Sequence, residues 1–478
     1  MPRPATIVLV LLLALPAIAW AFGARQPLLE NRARADYPAI TAASLQDPET
    51  FEQIDSAYLE RLSLRGEALD LNARLKIDLL KDSPNPEVAI GQDGWLYFQP
   101  QLQACRDKTP LSDPADTAEI LARSLLVSGR NALVVIPGGK LTLHPERAPE
   151  IEPEVEACVE RLEREVGARL AETPGGLDLD AELLALRAQG QDVFLRGDTH
   201  WNAAGRELFA RRVLDAVRPG LARETGLRQG KEVDRPADLW KLIGTDRTDR
   251  DRVVIAERTP LDPPRNVLLV GDSQMEFAFT RPPAPGVAPL IERTLPGASP
   301  CSPDAFAAGH CDELFAKAGT VIYETVGRNV RQLTETCWRA VSMATRHLRG
   351  PAASFERVDG GTPPSATGEL AIAPDAPARV RVRIPGADRA DAPRLIIMPV
   401  LEGDVSVYQQ PEAGGPAPCA TPTATAGAAL VIPIPAERRA RDLVFDLTTT
   451  VGARFEAPDV IDLSDGALAA AARPTPGG

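Results

Sequence analysis

Two short stretches of this chain carry residue types that do acyl chemistry. Between Val267 and Phe279 an apolar run (Val267, Leu268, Leu269, Val270) stops at Gly271-Asp272-Ser273, and the residues beyond can start a helix. A serine placed there stands at the carboxyl end of a buried strand, beside N–H groups able to hold a developing oxyanion. Ser273 is therefore the candidate nucleophile, and a serine hydroxyl needs a base. Of the histidines His144, His200, His310 and His347, His200 lies in Arg196-Gly197-Asp198-Thr199-His200-Trp201-Asn202, just ahead of the amphipathic run Ala203 to Val217. In an extended backbone positions i and i+2 share a side, so the Asp198 carboxylate can accept the Nδ1 proton and leave Nε2 for the serine. Ser273, His200 and Asp198 then form a triad in the chain order Asp, His, Ser. Each stretch alone is more often a capped turn or helix start; it is both together, each at the mouth of an α/β element, that point to acyl transfer. No HExxH motif and no second histidine cluster accompanies Asp198 and His200, so neither a metal nor a cofactor is expected.

The elements that must position these groups alternate. Thr117 to Val127 and Glu154 to Leu170 have helical spacing, and Ala132 to Ile136, Val253 to Ala256, Val267 to Val270 and Thr320 to Tyr323 are near-continuous apolar strands. A further helix runs to about Leu348. This predicts a mostly parallel sheet with helices on both faces, whose active residues collect at the carboxyl ends of strands. Lys140, Asp198, His200, Ser273 and Tyr323 all fall at such ends. Asp47 to Asp82, with apolar residues from Leu59 through Leu71, Leu75, Ile77 and Leu80, predicts one or two amphipathic helices packed on the catalytic domain. Asp93-Gly94 between two apolar runs predicts a hairpin. Gly350 to Gly368 is rich in Gly, Pro and Ser, and beyond it the pattern turns to period two, predicting a smaller C-terminal all-β sandwich.

At 478 residues the chain has room for two domains besides a leader, and its net charge of −13 argues against nucleic acid as a partner. Residues 1–24, with Arg3 before the apolar run Ala5 to Ala21, predict a signal peptide or, uncleaved, an N-terminal anchor, the only expected contact with a membrane. A tether (25–36), the catalytic domain (37–349), a linker (350–368), the sandwich (369–463) and a disordered tail (464–478) follow. Six cysteines in an exported chain permit fifteen pairings; locality suggests Cys105 with Cys158, Cys301 with Cys311, and Cys337 with Cys419.

From roughly Asp47 to Leu348 the chain resembles the alginate O-acetyltransferases of the AlgX and AlgJ type, which carry an SGNH-hydrolase-like domain. The resemblance rests on LNARLKIDLL leading to SPNPEVAIGQDGWLYF, then VVIPGGKLTLHPE, RGDTHWNAAG, VLLVGDSQM and VIYETVGRN, in the family's order. It implies an SGNH-like sheet between helices, Ser273 as the acetyl-accepting nucleophile, His200 as base and Asp198 as orienter. It also implies periplasmic work on a polysaccharide, and a carbohydrate-binding sandwich as in the AlgX-like branch. The acetyl donor would come through a membrane acyltransferase partner. The loop after Val134-Val135-Ile136 has Gly138-Gly139-Lys140 where the family commonly carries an acidic residue before its lysine. Around the triad, Gly271 and Gln274 are candidate oxyanion aids. Tyr323 is a candidate oxyanion or sugar contact, or the cap of a buried strand. Lys140 and Arg328 can neutralise uronate carboxylates, or serve as a solvated loop lysine and a partner of Glu324. An esterase or deacetylase with the same triad and a non-catalytic polysaccharide scaffold are the competing readings.

Overall fold

The computed structural model describes residues 37–471 except 42–43, 45–46, 60–64, 107–112, 261, 263–265, 276–286, 296–297, 330–339, 360–363, 366–368, 375–377, 384–391, 409–422, 426–428 and 435–441. The leader and the Cys337–Cys419 pairing lie outside the described residues. No described helix is long and apolar enough to cross a membrane.

Helices α1 (Pro48–Leu59) and α2 (Arg65–Arg74), the latter continued by a wider π-helical turn over Leu75–Leu80, come first. Strands β1 (Val88–Ile90) and β2 (Leu96–Phe98) form the expected antiparallel hairpin. Asp93 and Gly94 both take positive φ at its turn (52° and 72°), a conformation that asparagine, aspartate and glycine tolerate best.

The α/β part follows with α3 (Pro114–Val127), β3 (Asn131–Val135), α4 (Pro153–Glu172), β4 (Gly176–Leu177), α5 (Asp180–Ala188) and α6 (Ala203–Val217). Asp113 caps α3 by accepting the Ala115 and Asp116 N–H groups, as a start signal should. Next come β5 (Leu227–Pro236), α7 (Asp238–Leu242), β6 (Thr248–Ala256), β7 (Val267–Val270), α8 (Val287–Thr294), β8 (Ser299–Cys301) and β9 (Thr320–Glu324). Five strands make a parallel sheet in the order β4-β3-β9-β7-β8. Its alternate residues feed two cores, Leu133, Val135, Leu269 and Ile322 on one face and Val134, Leu268, Val270 and Val321 on the other. That double burial is why the strands read as unbroken apolar runs. One expectation fails: Val253 to Ala256 is not part of this sheet. It belongs to β6, which pairs antiparallel with β5 in a separate ribbon.

Beyond Ser354 the chain is antiparallel. Strands β10 (Ser354–Arg357), β11 (Leu370–Ile372), β12 (Ala378–Arg383), β13 (Arg394–Tyr408), β14 (Thr423–Thr425), β15 (Ala429–Ile434), β16 (Asp442–Thr448), β17 (Ala453–Phe455) and β18 (Asp459–Asp462) form one hydrogen-bonded, curled sheet. It is organised on β13, whose first half lies between β15 and β18 and whose second half pairs with β14, β16 and β17. Two boundaries move. β10 lies inside the expected linker, and residues 465–471 of the expected disordered tail form a helix whose Asp465 pairs with Arg123 of α3 at 2.7 Å. Leu395, Ile397, Val431, Ile461 and Leu463 join the same core as α3, so the curled sheet is docked on the α/β part by an apolar face.

Two of the expected disulfides are present, Cys105–Cys158 and Cys301–Cys311. His144 is fully buried, its ring 4.5 Å from that of Trp95, with Nε2 accepting the Val193 N–H (3.3 Å). Burial, then the charges of Arg187, Lys140 and Arg147, push this imidazole down to about 2. The unfolded chain therefore binds a proton that the folded one refuses, and stability must fall as pH drops below 6.5. From pH 7.5 to pH 5 this contributes a loss of about 2 kcal/mol, and His144→Gln, which keeps an acceptor for Val193, flattens the urea-unfolding profile by that amount. An unchanged difference between the two pH values would refute it.

Candidate active site

The parallel sheet sends the loops after β3, β7 and β9 to one edge, and all three converge with the His200 loop. Phe194 and Trp201 bridge antiparallel, and Leu195 N–H bonds the His200 carbonyl at 3.1 Å, closing residues 195–200 into a tight loop. Asn202 then caps α6 through the Ala204 and Gly205 N–H groups (3.0 and 3.2 Å). Asp198 and His200 meet, though in a turn and not in extended backbone. Asp198 Oδ1 lies 2.5 Å from His200 Nδ1 and also accepts the His200 backbone N–H at 2.9 Å. With Nδ1 engaged by a carboxylate, Nε2 is the lone-pair nitrogen. Asp198 is 2 % exposed; burial opposes its ionisation, but the His200 charge and hydrogen bond and the Arg235 charge outweigh that and hold it well below the usual carboxylate range.

The loop is gripped by residues that nothing in their local sequence singles out. Asp238, the first residue of α7, donates its N–H to Asp198 Oδ2 (3.0 Å) while its carboxylate takes the Thr199 N–H (2.8 Å) and hydroxyl (2.5 Å). Burial, then the Asp198 charge, raise the Asp238 carboxyl. Asp249 on β6 accepts the Gly197 N–H at 2.6 Å, and a Cβ on Gly197 would fall 1.8 Å from Trp240 Nε1, so only glycine fits. Asp251 holds the Ala203 N–H (2.9 Å) and pairs with Arg206 (2.5 Å), whose other nitrogen bonds the Trp201 carbonyl (2.6 Å). Each acidic group is paired with a donor of the His200 segment; the only available signal was the excess of aspartates in a polar stretch. Asp198, His200 and Asp238 also offer ligand atoms within 4.8 Å of one another. Those atoms, however, already bond the Nδ1 and backbone N–H groups of the same loop, an arrangement suited to holding a proton.

Ser273 is exposed just past the carboxyl end of β7. The next residue joins it to the base. Gln274, 1 % exposed, accepts the Trp201 N–H with Oε1 (3.1 Å) and donates Nε2 to the Thr199 carbonyl (2.7 Å), taking both chain neighbours of His200. Its oxygen and one of its two amide N–H groups are thus committed to the His200 loop, which makes Gln274 a positioning residue. Gly271 is no oxyanion aid: its N–H bonds the Cys301 carbonyl at 3.0 Å, and a Cβ there would lie 2.2 Å from Met275 Cγ. Asp272 N–H bonds buried Glu324 (3.3 Å), and the Asp272 carboxylate collects Thr325 Oγ1 (3.1 Å), Val326 N–H (3.1 Å) and Asn329 Nδ2 (2.6 Å). The turn carrying the serine is therefore tied to the loop after β9.

The remaining candidates have other occupations. Lys140, 4 % exposed, donates Nζ to the carbonyls of Leu96 (2.7 Å), Arg196 (2.9 Å) and Asp198 (3.1 Å), with the Trp95 ring 4.8 Å away. All three of its protons are engaged, so it positions the Asp198 loop and is not available to a uronate. Burial pushes its ammonium down to about 7. Tyr323, 3 % exposed, lies inside β9 against Phe306 and is a core residue, not a sugar contact; burial raises its phenol. Arg328 sits in the short turn Gly327–Asn329, and its side chain is outside the described residues. Glu163 of α4 accepts the Gly139 N–H at 2.8 Å, and Cβ atoms on Gly139 and Gly327 would lie 2.9 and 2.4 Å from its Oε1. The loop lacks an acid before Lys140, and α4 supplies one beside that position.

With this geometry in view, residues 88–278 match the family model of the SGNH hydrolase-like domain of acetyltransferase AlgX. This segment belongs to that family. The probable alginate O-acetylase AlgJ of Pseudomonas aeruginosa is 27% identical over 275 residues, 56% of this chain and 66% of that protein. The Pseudomonas fluorescens counterpart is 26% identical over 166 residues, 34% of this chain and 41% of that one. The chain thus spans less than two thirds of either relative. Among solved structures, the O-acetyltransferase domain of Pseudomonas putida AlgJ aligns with a TM-score of 0.38 at 17% identity, over 54% of this chain and 99% of that one. Pseudomonas aeruginosa AlgX aligns with a TM-score of 0.35 at 11% identity, over 79% and 94%. The AlgX-type domain contains both Asp198–His200 and Ser273, while the β9 loop that clasps Asp272 lies beyond it.

Two outcomes test this geometry. Gln274→Leu leaves the Thr199 carbonyl and Trp201 N–H without partners, which lowers stability by about 2 kcal/mol and acetyl-ester cleavage about 10²-fold; urea unfolding and a p-nitrophenyl acetate assay measure the two. Loss of rate with unchanged stability would return Gln274 to an oxyanion role. Burial, the largest cause, holds the Glu163 carboxyl up at about 7, so the folded state keeps a proton that the unfolded chain releases, and stability falls as pH rises through 7. Glu163→Gln removes that loss, gaining about 2 kcal/mol on wild type between pH 5 and pH 8.

Proposed function

We propose that this protein is an exported polysaccharide O-acetyltransferase working through an acetyl-serine intermediate on Ser273. The observation that carries the reading is the Gln274 amide, which fastens the residue after a strand-end serine to both neighbours of a histidine held by a buried carboxylate, within an AlgX-type domain. Ser273 Oγ attacks the acetyl carbonyl of a donor while His200 Nε2 takes the hydroxyl proton. The tetrahedral intermediate collapses and its leaving group receives that proton. A sugar hydroxyl then gives its proton to Nε2 and attacks the acetyl-serine, and collapse returns the proton to Ser273 Oγ. Asp198 stabilises the imidazolium in both halves and fixes its tautomer.

The sequence leader and two disulfides favour the periplasm, where thiols oxidise. The relatives' designation as alginate O-acetylases favours a uronate-rich acceptor and a donor delivered by a membrane acyltransferase. The curled antiparallel sheet, read as a sandwich, is where such a polymer would be held. The test is incubation with p-nitrophenyl acetate and deacetylated oligomannuronate. Acetyl found on the Ser273 peptide and then on the sugar, both lost in Ser273→Ala, supports the proposal. Ester release without acetylated sugar makes the protein an esterase, and full activity in Ser273→Ala overturns the site. Removing the nucleophile should cost at least about 10³-fold.

A further inference from the structure

Helix α2 and its π-helical extension carry apolar stripes on opposite sides, and among the described residues only one is covered. Ala73 and Ile77 are buried with Leu239, Trp240 and Ile243. Two residues out of step, where a helix turns its opposite side, Leu71, Leu75 and Leu79 are 59, 50 and 73 % exposed, and Leu80 is 64 % exposed. The sequence predicts these leucines to pack on the catalytic domain; they face away from it. A helix apolar on both sides has a second apolar neighbour. Among the described residues, seven of the nine exposed large apolar side chains lie between Tyr37 and Leu80; Leu184 and Val451 are the others.

We infer that this face rests on a lipid bilayer, beyond any contact made by the leader. The exposed apolar groups follow, in the chain, the run Ala5 to Ala21, which is long enough to span hydrocarbon. The tether 25–36 reaches at most roughly 40 Å, so a chain threaded through or leaving a membrane holds these side chains close to it. Charge does not oppose the contact. Residues 65–82 contain four basic (Arg65, Arg74, Lys76, Lys81) and four acidic residues (Glu67, Asp70, Asp78, Asp82), no net charge in a chain of −13. Asp70 and Asp78 are also paired with Arg74 (2.7 Å) and Arg247 (2.9 Å). A helix of this kind lies in the interface plane with its leucines among the acyl chains.

The experiment places the photo-crosslinker p-benzoylphenylalanine at position 75 or 79, and at 184 as an exposed control, in the full chain mixed with phosphatidylethanolamine–phosphatidylglycerol vesicles. Several-fold more phospholipid adduct from 75 and 79 than from 184, with circular dichroism unchanged, is the expected result. Equal yields at all three positions, or adducts at 75 and 79 to a second copy of this chain, would overturn the inference. The readout uses no acetyl chemistry and stands whatever the fate of Ser273.

Discussion

A carboxylate taken out of water must be given donors in exchange, and Asp198 receives them from three directions. The His200 ring and backbone N–H take Oδ1, and the N–H that opens α7 takes Oδ2. Each donor fixes something: the imidazole orientation, the turn of the loop, and the docking of α7 beneath it. Remove the charge and the loop loses the reason for its shape. The Asp198 carbonyl is also held, by the buried Lys140 ammonium that gathers Leu96 and Arg196 as well. One residue is thereby bound through its side chain to the ribbon side of the molecule and through its backbone to the first hairpin.

The serine side is built by the same rule. Asp272 is both a donor to Glu324 and an acceptor for the loop after β9, and Gln274 spans the flanks of His200. Side-chain amides and carboxylates, each bonding to the backbone of another loop, hold the convergence of loops that no strand pairing reaches. Glycines at 197, 271 and 327 keep the approaches open, because a methyl group at any of them would collide with Trp240, Met275 or Glu163.

Much of this was legible from local pattern. The parallel strands declared themselves through unbroken apolar runs, the first hairpin through Asp93-Gly94, and Asp198 with His200 through a spacing of two. What sequence could not give was long-range. Strand β5 reads Leu-Arg-Gln-Gly-Lys-Glu-Val-Asp-Arg-Pro and is largely exposed, so it offers no alternation to find. Asp238, Asp249 and Asp251 look like ordinary surface acids until the fold turns them on the His200 loop. The types of Lys140, Gln274 and Tyr323 suit contact with a reacting group; which carbonyls or rings lie opposite them is decided by segments tens of residues away. Helical spacing assigns the leucines of α2 and its extension to the core because it records only that a face is apolar, never what lies against it.

The first half of β13 has one further implication. Leu395 and Ile397 point into the core shared with α3, while Ile396 and Met398 point into that of the curled sheet. A strand apolar on both sides welds its two neighbours, so this C-terminal portion is no bead on a string. The core it shares with α3 ties the stability of each part to that of the other, which should make the two melt in a single step.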